Sequence, residues 1–257
     1  MSGRKIIGLL LLGTLAVCAI GASGAGAAQT AFQCESGSGS TGYVDAHCVN
    51  ETKVAAQVKF VHKSIAAGTE TKVTFNNQET TNSTLQAAPT MLSTSVAGVL
   101  VDIVCFESSG SGTLTNVAGG SITGKAFAFE FSECVMPKPR SAGKTECKVN
   151  TPIQFKNVSA KNYENSENMG LEFSPEKKVF AEIVLTNGDT TCPLAGTYKL
   201  EGTMRSQYAG ATGGSSTMLF ETGAGQLTFG GTQANFYNRV TVKKEGTGIG
   251  IALTTGE

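Results

Sequence analysis

The sequence predicts an all-β protein, a mainly antiparallel β-sandwich or distorted barrel held by disulfides. Three observations lead there. Apolar residues alternate with period two in segment after segment, and no amphipathic helix of three turns is found. Glycine is abundant, at 32 of 257 residues, tryptophan is absent, and Ser, Thr and Asn are plentiful, which is a composition rich in turns. Cysteine occurs 7 times, and with Cys18 set aside in an N-terminal leader an even set remains.

The leader runs from a positive pair, Arg4 and Lys5, through the apolar stretch Ile6 to Ile20, into the small residues Gly21 to Ala28. That order is a secretory signal peptide. Ala25-Gly26-Ala27 offers an A-x-A-type site, so cleavage after Ala27 or Ala28 is expected. The apolar stretch is shorter than the roughly 20 residues a spanning helix needs, so membrane contact is expected only through the leader during export. Lipidation at Cys18 would call for a smaller residue than Val17 before it, so Cys18 is expected to leave with the leader. The expected organisation is a signal peptide over 1–28 and a single β-rich domain over 29–257, looser in its N-terminal part, 29–95.

Charge excludes some partners. Lys and Arg total 20 and Asp and Glu total 20, so no basic field exists to attract nucleic acid or an anionic membrane. Cys34, Cys48, Cys105, Cys134, Cys147 and Cys192 form an even set in an exported chain, which reads as disulfides. The expected pairs are Cys34–Cys48 and Cys134–Cys147, closing local loops, and Cys105–Cys192, tying two distant strands. There is no C-x-x-C and there are 2 histidines, so zinc is not expected, and no motif names a cofactor or another metal.

The elements follow in chain order. Gln33 to Gly42, containing Cys34-Glu35-Ser36-Gly37-Ser38-Gly39-Ser40, reads as a loop. Lys53 to Lys63 places Val54, Ala56, Val58, Phe60 and His62 on one face and lysines on the other, a half-exposed strand. Thr71 to Phe75 is a short strand with Asn76-Asn77 as its turn, and Gln78 to Ser95 is polar and rich in threonine. Val96 to Phe106 is the most apolar run of the mature chain. Val99, Val101, Ile103 and Cys105 share one face, and Leu100, Val104 and Phe106 share the other with Asp102. It reads as a central strand covered on both sides.

Ser108 to Gly112 reads as a loop, followed by strands at Thr113 to Val117 and Ser121 to Phe131. The second aligns Phe127, Phe129 and Phe131, and burying each contributes roughly 2–3 kcal/mol. Pro137 and Pro139 are expected to take Cys134 to Arg140 out of the sheet, which the chain rejoins at Cys147. Lys161 to Met169 is an Asn/Glu-rich loop. Lys178 to Thr186 repeats the pattern of the central strand, with Glu182 where that strand has Asp102, and the two are expected to be neighbours. Asn187-Gly188-Asp189 is a hairpin signal. Thr197 to Arg205 turns Tyr198, Leu200 and Met204 inward. Tyr208 to Ser216 is a linker, and strands at Phe236 to Val242 and Ile249 to Leu253 close the chain.

Cys192-Pro193-Leu194-Ala195-Gly196-Thr197-Tyr198-Lys199-Leu200, together with the apolar strand ending in Cys105 and the small-residue leader, resembles a group of secreted, cysteine-containing, β-rich proteins of actinobacteria. The resemblance covers roughly Val96 to Arg205. It implies a secreted β domain of bacterial origin, and it implies no activity and no site.

Candidate chemistry is sparse. Asp45, His47 and Cys48 carry the residue types of a Cys–His nucleophile or a metal site, but an oxidised cysteine is not a nucleophile. His62 ends an apolar strand face and has no Gly-x-Ser-x-Gly elbow to serve. Asp102 and Glu182 on neighbouring strands would form a glycosidase-like pair. Asn162, Glu164, Asn165, Glu167 and Asn168 offer oxygen ligands without the order of a calcium loop. Sequons stand at Asn50, Asn82 and Asn157. Phe127, Phe129 and Phe131 could line an apolar cavity. The expectation is a secreted or cell-envelope structural or binding protein without enzymatic activity, meeting a protein or glycan at the cell surface. A hydrolase using the acid pair and a carrier of an apolar ligand are the alternatives.

Overall fold

The computed structural model describes residues 29–46, 48, 50–77, 89–141, 143–164, 169–208, 217–222 and 226–255. The leader, His47, Asn82, Asn165, Glu167, Asn168 and most of the Tyr208 to Ser216 linker lie outside the described residues. The N-terminal strands are β1 (Gln29–Ser36), β2 (Gly42–Tyr43), β3 (Glu51–Thr52), β4 (Phe60–Ser64), β5 (Glu70–Asn77) and β6 (Thr90–Val96). The long β7 (Val99–Val117) and β8 (Ser121–Lys138) follow, then β9 (Arg140–Ser141), β10 (Lys144–Thr145), β11 (Cys147–Val149), β12 (Ile153–Glu164), β13 (Met169–Pro175) and β14 (Val179–Asn187). The last are β15 (Gly196–Gly202), β16 (Met204–Tyr208), β17 (Thr217–Glu221), β18 (Leu227–Phe229), β19 (Thr232–Lys244) and β20 (Ile251–Thr255). No α-helix occurs among the described residues.

The main sheet closes on itself. From β19 it passes through β17, β16, β13, β12, β8 and β7, every pair antiparallel. The circuit returns to β19 through β5 and β6, which share one place in the wall. The all-β expectation therefore takes its barrel form. A barrel of about eight positions has an interior that side chains just fill, and phenylalanines fill this one. Phe127 and Phe129 meet Phe75 and Phe173, Phe129 meets Phe155 and Phe220, and Phe131 meets Phe155 and Phe236, with ring centroids 4.9–6.5 Å apart. Beyond β19 the sheet continues through β18, β15 and β14 to β11, so Phe180 reaches Phe155 from outside the circuit. A second sheet, ordered β20-β1-β4-β2-β3, joins the first and last of the described strands. The buried Asn116 side chain holds it to the barrel, accepting from Ala31 N at 2.8 Å and donating to Ala31 O at 3.0 Å and Ile65 O at 2.8 Å.

Several expected boundaries move, each for a local reason. Ser108 to Gly112 is not a loop. It lies inside β7, where Gly110 and Gly112 give way to the Phe129 and Phe127 rings. The central strand starts at Val99, because Ala97 (φ 49°) and Gly98 (φ 80°) form a two-residue turn of the type I′ class from β6. On its odd face Val101, Ile103 and Cys105 are buried as expected and Val99 is half-buried. Its even face is not covered, because the outside of the barrel wall has no second layer there: Leu100 is 57% and Phe106 47% exposed.

Cys134 to Lys138 stays in β8, since β12 pairs with β8 only as far as Phe131 and a bulge opposite Ile103 absorbs Pro137. Asn76 and Asn77 belong to β5 rather than to a turn, and Asn77 Nδ2 donates to Phe106 O at 2.5 Å. Lys53 to Gln57 is not strand. Ala55–Gln57 winds into a 3-10 turn closed by Gln57 N donating to Val54 O at 2.8 Å, and only Phe60–Ser64 is extended. Asn187-Gly188 does not make a tight hairpin. Gly188 N donates to Glu146 O and Asp189 N to Thr145 O, both at 2.8 Å, so the chain runs on before returning as β15. Gln33 to Ser36 extends in β1, and Lys161 to Glu164 extends in β12. Thr197 to Arg205 breaks at Thr203, whose N–H donates to Gln226 O, and its halves pair with different strands.

The disulfides are Cys34–Cys48, Cys105–Cys134 and Cys147–Cys192. The expected Cys105–Cys192 and Cys134–Cys147 bonds are not formed. β7 lies between β8 and the pair β5 and β6, not beside β14, and the register sets Cys105 directly opposite Cys134. Cys147 lies opposite Asn187, and Asn187 Oδ1 accepts from Cys192 N at 2.9 Å, folding Cys192 back to Cys147.

Candidate interaction surface

The residues singled out for chemistry are dispersed. Asp45 Oδ2 accepts from Asn50 N at 2.8 Å, and Cys48 is oxidised and buried. On β4, the half-buried His62 ring lies between Phe32 and Tyr43, with centroids 5.5 Å and 4.6 Å away, an aromatic packing position. Asp102 on β7 pairs with Lys138 at 3.2 Å. Glu182 on β14 faces Lys199 across the ladder, and β14 lies between β11 and β15, so the two acids do not share neighbouring strands. Asn162 is half-buried and its Oδ1 accepts the backbone N–H of Ile122 across the wall. Asn50 and Asn157 are exposed, Asn157 with φ 54° at a bulge of β12. Around Phe131 and Phe155 the interior leaves a cavity of about 20 Å³, on the scale of a single water-sized sphere.

One charged cluster was invisible in the sequence because it spans three strands. Glu172 on β13 accepts from Arg205 of β16 at 2.9 Å and meets Lys161 of β12 at 3.2 Å, while the Arg205 guanidinium lies 3.9 Å over the Tyr163 ring. Burial raises the Glu172 pKa, but the hydrogen bonds and charges of Arg205 and Lys161 outweigh it, and the carboxyl sits below its ordinary 4.5.

The outer face of β6, β7 and β8 carries the largest exposed apolar side chains. Register aligns Tyr237, Met91, Val104 and Val135 in one row across β19, β6, β7 and β8. Met91 is 39% and Val135 48% exposed, and Leu100 and Phe106 project from the same β7 face. Glu107 and Glu133 are exposed beside the row, and Asp102 and Lys138 form their ion pair along it. Past Val135 the surface dips into a groove of about 470 Å³ between β8 and β11, whose lining includes Cys134, Val135, Pro137, Cys147, Lys148 and Asp189. The sequence held the signal for this surface in the apolar even positions of Val96 to Phe106, which pointed to a covered face.

No family model, no curated protein and no solved structure matches the chain. The three disulfides place the folded chain in an oxidising setting.

Proposed function

We propose that the protein is secreted or held in the cell envelope and acts without enzymatic chemistry, as a structural or binding protein that meets a protein partner through the outer face of β6, β7 and β8. The observation that carries this reading is the row of exposed Met91 and Val135 flanking half-buried Val104, with exposed Leu100 and Phe106 beside it, since clustered apolar side chains on a surface mark contact sites. Glu107 and Glu133 beside the row favour a protein surface over an anionic membrane, which they would repel. The leader order of Arg4 to Ala28 and the disulfides support export. The acid pair and the barrel interior support their alternatives less well, because Asp102 is committed to Lys138 and the Phe cluster leaves almost no space.

The test expresses the full chain in an actinobacterial host, beside a triple variant, L100S/F106S/V135S. The purified proteins are then rebound to washed envelopes, to envelopes stripped of surface protein by protease, and to vesicles of envelope lipid. Export, rebinding of the parent protein to washed envelopes alone, and loss of rebinding in the variant are expected. Retention in the cytosol overturns export. Equal rebinding of the variant overturns the surface assignment, and rebinding to vesicles overturns the protein partner.

A further inference from the structure

We propose that the Cys105–Cys134 disulfide is a thiol-exchange site, at which a small thiol attacks Cys134 from the groove and Cys105 leaves into the core. Access separates this bond from the other two. Cys134 and Cys147 both line the groove between β8 and β11, but Cys147 is 0% exposed, and Cys34, Cys48, Cys105 and Cys192 are buried too, whereas Cys134 is half-buried. Exchange requires a thiolate to reach one sulfur, and the accessible sulfur is the one attacked. Val135 and Pro137 offer the incoming molecule an apolar wall, and the groove carries one charge of each sign, Lys148 and Asp189, of which Lys148 favours a thiolate.

The leaving side is prepared independently. Thr90 of β6 lies directly opposite Cys105 of β7, on the buried face of both strands. Its Oγ1 is buried and has no hydrogen-bond partner among the described residues. An orphaned hydroxyl of this kind is costly and calls for an explanation. Thr90 and Cys105 also line the same cavity of about 20 Å³, with Leu92, Ile103 and Ile153 around them. Cross-strand neighbours of this kind have Cβ atoms about 5 Å apart, within reach of a hydroxyl-to-sulfur hydrogen bond. Thr90 is placed to donate to a thiolate that appears on Cys105.

The step balances without an oxidant. The incoming thiolate sulfur bonds to Cys134 Sγ as the Cys134–Cys105 bond breaks. The electron pair leaves on Cys105 Sγ, takes the Thr90 hydrogen bond and then accepts a proton from solvent. The products are a mixed disulfide at Cys134 and a thiol at Cys105. The wall survives the step, because the β7–β8 ladder runs from Asp102 to Val117 on backbone pairing of its own.

The test incubates the native, oxidised protein with excess glutathione, quenches with acid, alkylates after unfolding and maps the peptides by mass. A single glutathione adduct on Cys134 is expected, with Cys105 alkylated and the Cys34–Cys48 and Cys147–Cys192 bonds intact. Thr90→Val keeps the shape, removes the hydroxyl and is expected to slow the adduct about tenfold, the scale of one hydrogen bond to a charged group. An adduct on Cys105, no adduct, simultaneous opening of all three bonds, or an unchanged rate in Thr90→Val overturns the proposal.

Discussion

Gly112 on β7 lies flat against the ring of Phe127 on β8, and a Cβ at Gly112 would overlap that ring. Phe127 is fully buried and held by Phe75 and Phe173, so it has nowhere to retreat. Gly112→Ala should therefore destabilise the fold. Overpacking costs roughly 1–3 kcal/mol, against a gain of at most about 1 kcal/mol from restricting the unfolded chain. A net loss of about 1–2 kcal/mol is expected in urea titrations. Phe127→Leu in the same chain should recover part of it, since the two sites share one volume.

Asn116 anchors the terminal sheet. Asn116→Leu takes the side-chain partner from the buried Ala31 N–H and from Ile65 O, while Ala31 O keeps the Ile65 N–H at 3.3 Å, and each buried group left unsatisfied costs about 1–3 kcal/mol. Limited proteolysis should then cut within β1 or β4 while the barrel segments stay resistant. A cleavage pattern identical to that of the parent protein would contradict the anchoring role.

The Glu172 cluster gives a pH dependence of known sign. The folded-state pKa lies below the ordinary 4.5, so the ionised carboxylate stabilises the fold. That contribution is complete above the unfolded value and is lost as pH falls from 4.5 through the folded value. Glu172→Gln removes it at all pH values. The stability difference between parent and variant should be largest at neutral pH and shrink on acidification below pH 4.5, as read by thermal melts across that range.

The class of fold was legible in the sequence because period-two patterning survives in any strand that buries one face. Phe127, Phe129 and Phe131 were readable as a core row, and so was the inward face of Val99 to Cys105. Closure of the barrel was not, because it depends on β5 and β6 sharing a place between β19 and β7, a relation between residues far apart in the chain. Gly110 and Gly112 looked like a loop because their meaning lies on another strand, in rings that need the space. The outer row was misread because apolar side chains on both faces of β7 signal a covered strand only when a second layer exists. The charged cluster of Lys161, Glu172 and Arg205 leaves no pattern within any one segment.

The barrel and the exchange site both stand on β8 as the neighbour of β7. A disulfide map of the oxidised protein, made by proteolysis without reduction and mass analysis, tests that relation most directly. The structure predicts Cys34–Cys48, Cys105–Cys134 and Cys147–Cys192. Recovery of Cys105 bonded to Cys192, with Cys134 bonded to Cys147, would contradict it and place β14 beside β7 instead.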